Sequence, residues 1–445
     1  MGGVRTGFSR WGRAYNTVVM GKVVALDAQD KSRSSSSARP RAPKRPRPKA
    51  RSKTALVLGG GGFTGGVYEI GALRALDLLS VNRTVNDFDI YVGTSAGAFV
   101  AALTANGVTP DEMMQVVTSE PSSPFRDAKL SQLMRPNFGE FATSAIKLPL
   151  RSARLARAIL GQLGDLSAID LLTGLAEILP SGLYTGAGIE RYLQSVLCEA
   201  GRTDDFRLLA PELYLAATDL DTCERVVFGA KEWDDVPISR AVRASTALPM
   251  VYKPVEVKGR DLVDGGIVST TNIDIAVEAG AKLVVVINPI VPYVNDLRQE
   301  IRTLSGSRPR RVSDMGFAQI GYQTFKLLAY QRLHEVSSQW EQRYPGVDIV
   351  LIEPDANDEL MFKTSIMDFG ARVNIARHGF QSVTMKLAHD YDDFKAVCGR
   401  HGIEISATRV RKVIKHFAAE KERTRAWRRI LEQTTGTLLR QSAGQ

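Results

Sequence analysis

The spacing of apolar residues alternates between two periods from residue 54 to about residue 290. Short runs rich in β-branched and aromatic residues predict buried strands, and they lie at 54–58, 88–92, 212–217, 225–228, 255–257 and 282–287. Between the first two runs, residues 67–79 carry apolar side chains at helical spacing. A strand, a glycine-rich turn, a helix and a second strand in succession predict an α/β fold, with three layers (α/β/α) and a mainly parallel central sheet.

The pattern is less regular in two other regions. Residues 110–185 hold basic, amphipathic helical pieces, which predict a helical, lid-like insertion over the sheet rather than a core layer. Beyond about residue 300 the pattern is mostly helical. We therefore predict a main domain at 54–300 that contains the insertion, and a helical C-terminal extension at 301–445 that is partly packed on this domain.

Basic charge is concentrated near the N-terminus. The formal net charge of the chain is +10, and residues 1–53 hold 14 Lys and Arg residues against two Asp residues. This segment also contains a serine run and repeated Arg-Pro pairs, so it is predicted to be a disordered basic tail. Two interpretations stay open. We favour a solvated tail over an electrostatic tether to an anionic surface, and nucleic acid is an unlikely partner.

Cysteine content and hydropathy predict in which compartment the protein is found. The cysteines are Cys198, Cys223 and Cys398. Three widely spaced cysteines fit neither a disulfide framework nor a zinc site, and they suit a reducing compartment in which they are buried or idle. No apolar run approaches the roughly 18 residues that cross a bilayer, and the N-terminal segment lacks the apolar stretch of a secretory signal. We expect a cytoplasmic protein that can bind membranes peripherally.

A serine between two glycines follows the second predicted strand. The pentapeptide is Gly93-Thr94-Ser95-Ala96-Gly97, and strong helix formers come after it. On such a strand-to-helix turn a serine can expose its hydroxyl, because Gly93 and Gly97 keep Cβ atoms away from the tight backbone. The helix N-terminus would lie under any negative charge that forms. The pattern indicates that Ser95 is the nucleophile of a serine hydrolase.

A run of four glycines follows the first predicted strand and has two possible uses. Gly60, Gly62 and Gly65 satisfy the G-x-G-x-x-G spacing of a dinucleotide site. That site also needs an acidic residue at the end of the second strand, whereas Asp87 and Asp89 lie at its beginning. We therefore favour the second use, an oxyanion hole, because successive glycines allow several backbone N–H groups to point at one oxygen.

A serine nucleophile needs a base, and the chain offers two kinds. The histidines all lie in the helical C-terminal third and follow no evident strand: His334, His378, His389, His401 and His416. Asp264 ends a short apolar run and is followed by Gly265 and Gly266, which leaves its carboxylate at a strand end with little bulk nearby. Burial raises the pKa of such a carboxylate towards that of a working base. Asp-Gly is also a common turn, so this pattern alone does not decide.

Three ordered blocks resemble the patatin-like phospholipase family, whose members hydrolyse acyl esters with a Ser–Asp dyad. The blocks are Gly60-Gly61-Gly62-Phe63-Thr64-Gly65, Gly93-Thr94-Ser95-Ala96-Gly97 and Asp264-Gly265-Gly266, with similar segments at 217–220 and 241–249. The resemblance covers about residues 54–290 and implies the patatin-like fold. It also implies Ser95 as nucleophile and Asp264 as general base. The implied oxyanion hole consists of three backbone N–H groups, those of Gly60, Gly61 and Gly62.

The chain departs from the family pattern at Thr64, where the glycine loop usually carries Arg or Lys. The departure leaves the backbone donors in place but weakens the case for a phosphate head group. The resemblance implies a lipase or phospholipase A-type acyl hydrolase of lipid or phospholipid esters, without metal or cofactor, that contacts membranes through its tail or amphipathic segments. Two alternatives stay open: a non-catalytic lipid-binding or scaffold protein with the same fold, and a conventional Ser-His-Asp esterase.

Overall fold

The centre of the molecule is a mostly parallel β-sheet. The structure is a computed structural model that describes residues 52–118, 136–137, 140, 180–295, 311–356, 358–364, 368–417 and 419. The strands are β1 (Thr54–Leu58), β2 (Ile90–Thr94), β3 (Gly182–Tyr184), β4 (Glu212–Asp219), β5 (Arg225–Phe228), β6 (Met250–Tyr252), β7 (Val255–Val257), β8 (Arg260–Asp264), β9 (Leu283–Ile287) and β10 (Asp348–Ile352). The main sheet runs β10-β9-β1-β2-β4-β8-β7 with β5 beside β4, and β3 pairs with β6 separately.

Helices cover both faces of this sheet. They are α1 (Gly62–Leu79), α2 (Ala96–Ala105), α3 (Pro110–Thr118), α4 (Ala187–Leu197), α5 (Ile238–Ser245), α6 (Ile273–Glu278), α7 (Phe317–Ser337), α8 (Trp340–Arg343), α9 (Glu359–Lys363), α10 (Arg372–His389) and α11 (Tyr391–Arg400). Alternate strand residues point to opposite faces. Leu56 and Leu58 therefore join the core under α1 and α2, whereas Ala55 and Val57 pack with α6. The predicted three-layer α/β/α fold is confirmed.

The strand directions place the segments that follow several strands at the same edge of the sheet. β10, β9, β1, β2 and β4 are mutually parallel along the order of the sheet, so they all end at the same edge. β8 runs antiparallel to β4, and its last residue, Asp264, pairs with Ala217. Asp264 therefore lies near the level at which β2 ends, because Thr94 of β2 pairs with Ala216 on the other side of β4.

Helix α10 packs on α1 at a crossing of two glycines. A Cβ atom at Gly71 would lie 2.2 Å from Ala376 O, and one at Gly379 would lie 2.4 Å from Tyr68 O. Side chains do not approach a backbone oxygen so closely, so the crossing requires glycine at both positions. The C-terminal part of the chain thereby completes the helical layer over α1 and shares its hydrophobic core.

Two boundaries differ from the sequence predictions. α1 begins at Gly62 instead of Val67, so the turn after β1 is shorter than predicted and several of its glycines belong to the helix. α3, at the start of the predicted insertion, packs against α1 and α10 and buries Met113 and Val117. This helix is therefore a part of the core layer. Most of the predicted lid, at 119–135, 138–139 and 141–179, lies outside the described residues.

The region beyond residue 300 is not only helical. Strand β10 pairs in parallel with β9 and extends the sheet at its edge, a strand that the sequence analysis missed. Cys398 is buried as expected, whereas Cys198 and Cys223 are exposed. Across the described ranges, no helix combines the length and the apolar character needed to cross a membrane. The predicted basic tail lies outside the described residues up to position 51, and its role stays a prediction.

Candidate active site

The parallel pairing of β1 and β2 brings the glycine loop and the serine turn side by side. Leu58 pairs with Gly93 near the carboxyl end of these strands, so the chain leaves both at the same edge of the sheet. The N–H of Gly97 donates to Gly59 O at 3.1 Å, which joins the two turns directly. The two segments therefore meet where open α/β sheets bind their ligands.

Ser95 occupies a sharp turn between β2 and α2. Its backbone adopts φ 56° and ψ −124°, and a positive φ is strained for a residue with a side chain. The turn also requires glycine on both sides of Ser95, because the backbone at Gly93 and Gly97 lies too close to other atoms for a side chain. A Cβ atom at Gly97 would lie 2.4 Å from Leu58 O, and one at Gly93 would lie 2.5 Å from Ala98 Cα. Larger residues at either position would displace the turn from the end of β1 or from α2.

Asp264, at the end of β8, lies against this serine. Ser95 Oγ donates to Asp264 Oδ2 at 2.5 Å, and Gly266 N–H donates to Asp264 Oδ1 at 2.7 Å. Gly265, which lies between Asp264 and Gly266, packs closely on β4. A Cβ atom at this position would lie 2.3 Å from Ala216 O. The structure thus brings together the two side chains that the sequence analysis selected, although they are far apart along the chain.

Burial controls the charge of Asp264. Its relative exposure is 3%, and that of Ser95 is 7%. Burial disfavours the carboxylate and raises the pKa of Asp264 from 3.8 to about 6, while hydrogen bonds from Ser95 and Gly266 oppose the rise. The carboxyl group is therefore ionised at neutral pH but is far more easily protonated than an exposed aspartate. Such a group can take up a proton and release it again.

The glycine loop offers fewer free donors than the sequence predicts. The N–H of Gly60 donates to Thr270 O at 3.1 Å, so this predicted donor is already occupied. The N–H groups of Gly61 and Gly62 have no acceptor among the described residues, and they open α1, whose N-terminus favours negative charge. Of the three predicted donors, Gly61 and Gly62 therefore stay candidates for an oxyanion hole, whereas the N–H of Gly60 is used within the fold.

Pro289, just after β9, packs against the glycine loop. A Cβ atom at Gly61 would lie 2.8 Å from Pro289 Cγ, and one at Gly65 would lie 3.1 Å from the same atom. Gly65 also donates its N–H to Gly61 O at 3.0 Å, the first bond of the helix. Thr64, the position at which the chain departs from the family pattern, is buried in this first turn.

Sequence reasoning missed a polar network behind the serine turn. Asn272 Nδ2 donates to Thr94 Oγ1 at 2.8 Å, and Asn272 Oδ1 accepts from Arg225 Nη1 at 2.9 Å. Arg225 in turn forms an ion pair with Asp274, with Nη2 and Oδ2 2.7 Å apart. The available signal was the polar run at 269–272, directly after the Asp-Gly-Gly block. This network fixes the residue that precedes the nucleophile candidate.

The histidines have other partners. Three of them lie next to carboxylates: His334 Nε2 is 3.1 Å from Glu353 Oε2, His378 Nε2 is 2.5 Å from Asp358 Oδ2, and His401 Nε2 is 2.7 Å from Asp348 Oδ2. None of these carboxylates is Asp264, and no hydrogen bond joins a described histidine to Ser95. The serine hydroxyl therefore has a carboxylate as its neighbour, as the family resemblance implies, rather than an imidazole.

The dinucleotide alternative lacks its acidic residue. Asp89 Oδ2 accepts from the N–H and the Oγ1 of Thr54 at 2.8 Å and 2.9 Å, at the beginning of β1. This carboxylate therefore lies at the edge of the sheet opposite the glycine loop. At the carboxyl end of β2, where a ribose-binding acid is required, the chain passes through Thr94 into Ser95.

A comparison with protein families agrees with this arrangement. Residues 56–277 match the model described as patatin-like phospholipase. The chain belongs to this family. The matched part of the patatin-like chain runs from β1 to α6 and includes the glycine loop, Ser95 and Asp264, so the resemblance stated from the three sequence blocks is confirmed.

Similarity to individual proteins is weaker. The uncharacterized protein YqhO of Bacillus subtilis (strain 168) is 25% identical over 219 residues, which are 46% of this chain and 63% of that protein. The probable lipid hydrolase 463L of invertebrate iridescent virus 6 is 22% identical over 229 residues, which are 50% and 63% of the two chains. The chain thus spans less than two thirds of the length of these curated relatives.

One solved structure with a similar chain path is VipD from Legionella pneumophila. It is 14% identical to this protein, with a TM-score of 0.33 over 76% of this chain and 67% of that one. A likeness this distant concerns the chain path alone and carries no argument about activity.

Proposed function

We propose that this protein is a serine acyl hydrolase that cleaves fatty-acyl esters of lipids, as a lipase or phospholipase A does. Ser95 is the proposed nucleophile and Asp264 the proposed general base. The observation that carries the proposal is the 2.5 Å hydrogen bond between Ser95 Oγ and Asp264 Oδ2 in a buried site. Family membership supports lipid esters as substrates, and the viral relative is described as a probable lipid hydrolase.

The first half of the proposed reaction forms an ester on the enzyme. Asp264 Oδ2 accepts the proton of Ser95 Oγ while that oxygen attacks the carbonyl carbon of the substrate ester. The carbonyl oxygen becomes an oxyanion in a tetrahedral intermediate. When the intermediate collapses, the bond to the alcohol oxygen breaks, and this oxygen takes the proton from Asp264. The acyl group is then bound to Ser95 through an ester.

The second half releases the fatty acid. A water molecule gives one proton to Asp264 and attacks the acyl carbon, and a second tetrahedral oxyanion forms. Its collapse breaks the bond to Ser95 Oγ, which recovers the proton from Asp264. A single carboxylate thus acts as base and then as acid in each half, which suits a group whose pKa is raised to about 6.

Two backbone donors are available for the oxyanion. We propose that the N–H groups of Gly61 and Gly62 bind it, since they are free among the described residues and lie at the N-terminus of α1. Both the aligned amide dipoles and the direct hydrogen bonds would stabilise negative charge there. A single donor of this kind is typically worth roughly 10²- to 10³-fold in kcat.

Release of fatty acid from lipid esters tests this proposal. Wild-type protein and Ser95→Ala are incubated with vesicles of phosphatidylcholine, lysophosphatidylcholine or phosphatidylglycerol and with a triacylglycerol emulsion, and free fatty acid is measured by mass spectrometry. We expect release by wild type from at least one class and none above background from Ser95→Ala. The control is Ser195→Ala, an exposed serine on α4, which is expected to keep full activity.

Each other outcome has a defined meaning. Equal release by wild type and Ser95→Ala contradicts the assignment of the nucleophile. No release from any lipid ester favours a non-catalytic lipid-binding or scaffold protein. Loss of activity in one of five single His→Ala variants that remain folded favours a conventional triad over the Ser95–Asp264 pair.

A further inference from the structure

The backbone of the serine turn is held by a second buried serine. Ser95 N–H donates to Ser245 Oγ at 2.9 Å, and Ser245, the last residue of α5, has no exposed surface. A buried N–H without an acceptor is strongly disfavoured. Ser95 lies one residue beyond the end of β2, and the side chain of Ser245 supplies the acceptor for its N–H.

The hydrogen bonds of Ser245 also fix the direction of its hydroxyl. Ser245 Oγ lies 2.6 Å from Ala216 O, which can only accept, whereas Ser95 N–H can only donate. The single hydroxyl proton must therefore point to Ala216, and its oxygen must accept from Ser95. The hydroxyl thus ties the turn after β2 to the neighbouring strand β4.

Residues 245–247, which begin with Ser245, also hold the backbone of Asp264. Ala247 O, two residues after Ser245, accepts the N–H of Asp264 at 3.0 Å. Thr218 Oγ1 on β4 donates to Asp264 O at 3.2 Å. The backbones of Ser95 and Asp264 are therefore both fastened to residues 245–247, at the centre of the 241–249 segment that the family resemblance included without a role.

An ion pair anchors this segment to the rest of the fold. Arg243 Nη1 is 2.7 Å from Glu190 Oε2 of α4, and Arg243 Nη2 donates to Thr185 O at 2.9 Å. These bonds limit rotation of α5 about its axis. A rotation would move Ser245 away from the serine turn, so the bonds of Arg243 help to keep Ser245 Oγ within hydrogen-bond distance of Ser95 N–H.

We propose that Ser245 is a positioning residue, which holds the backbone of Ser95 so that the Ser95 hydroxyl lies against Asp264. This role rests on the proposed function for its kinetic consequence, but its structural consequence is independent of activity. The residue does not contact the reacting atoms. Its removal should change the rate of the chemical step and leave substrate binding unchanged, because a nucleophile displaced by about 1 Å can lose roughly 10²-fold in rate.

Ser245→Ala and a matched control test the proposal. The control is Ser239→Ala, since Ser239 lies on the same helix, is also buried, and its hydroxyl bonds to Asp204 instead of the serine turn. We expect Ser245→Ala to lower kcat about 10- to 100-fold with KM unchanged. Ser239→Ala should keep the kcat of wild type, even if it lowers the melting temperature as much as Ser245→Ala does. Ser245→Thr, which retains a hydroxyl, should recover most of kcat.

Hydrogen exchange separates this proposal from the proposed function. Exchange of the peptide that contains Ser95 is followed by mass spectrometry in the same variants. We expect faster exchange at the serine turn in Ser245→Ala and wild-type exchange there in Ser239→Ala, whether or not the protein hydrolyses lipid. If Ser245→Ala does not fold, Ser245→Cys, a near-isosteric change with a weak hydrogen-bonding group, takes its place. Unchanged exchange and unchanged kcat in the folded variant would overturn the proposal.

Discussion

Asp264→Asn is expected to lower kcat by about 10³-fold or more while the protein stays folded. An amide cannot accept the proton of Ser95 Oγ, so the proposed attack loses its base. The shape of the site is kept, because the Asn oxygen can still accept from Gly266 N–H and its amide nitrogen can donate to Ser95 Oγ. Hydrolysis of the lipid identified by the vesicle assay measures the effect.

The same substitution is expected to raise stability at neutral pH. The pKa of Asp264 is about 6 in the folded protein against 3.8 for an ordinary aspartate, so the folded state binds the proton more tightly. Stability contributed by this group is therefore present at low pH and is lost as pH rises from about 4 to about 6. The loss is on the order of 3 kcal/mol above that range, and Asn avoids it because it carries no charge.

Thermal unfolding at two pH values checks this sign. Asp264→Asn should melt above wild type at pH 7.5, and the difference should shrink towards pH 4.5. Asp261→Asn serves as the control, because Asp261 lies on the same strand but is exposed, and it should change neither activity nor melting temperature appreciably. A variant with near wild-type kcat, or one that is less stable at pH 7.5 than at pH 4.5 relative to wild type, contradicts this account of Asp264.

Gly71→Ala is expected to lower the free energy of unfolding by about 1–3 kcal/mol. The added Cβ would lie 2.2 Å from Ala376 O and 2.7 Å from Phe380 N, both backbone atoms of α10. Neither atom can move alone, so α10 must shift away from α1 and open the core between them. Urea denaturation measures the change.

Gly399→Ala is the matched control for this substitution. Gly399 lies in α11, and a Cβ atom there meets nothing within 4 Å beyond its chain neighbours and the backbone of its own helix. Because alanine favours the helix, this variant should gain up to about 1 kcal/mol. The two substitutions are chemically the same, so opposite signs isolate the helix contact. Equal stability of Gly71→Ala and wild type would show that α10 does not pack on α1 in this way.

Ser95 and Asp264 could be predicted from the sequence because the chain around each must pass close to another strand or helix. Gly93, Gly97 and Gly265 exclude side chains where the backbone meets its neighbours at 2.3–2.5 Å from a Cβ position. Such contacts leave glycines at fixed places beside the proposed nucleophile and the proposed base. The order of strands and helices could be predicted from a different signal, because each buried strand is a short apolar run.

Contacts that depend on tertiary pairing could not be predicted in this way. The N–H of Gly60 is satisfied by Thr270, which comes from a loop after β8, so counting glycines overestimates the free donors. β10 is an edge strand with only two fully buried residues, and its pattern does not stand out among helices. Ser245 ends a helix, and nothing near it in the sequence indicates that its hydroxyl reaches Ser95.

Covalent labelling of the nucleophile tests the central claim most directly. Wild type, Ser95→Ala and Asp264→Asn are treated with a long-chain alkyl fluorophosphonate, which loses fluoride when a serine oxygen attacks phosphorus, and the modified residue is located by peptide mass spectrometry. We predict one adduct on Ser95, formed faster as pH rises through about 6, as the pKa of Asp264 requires, none in Ser95→Ala, and much slower formation in Asp264→Asn. An adduct on another residue, or labelling of Ser95 at an unchanged rate in Asp264→Asn, would contradict a Ser95–Asp264 pair.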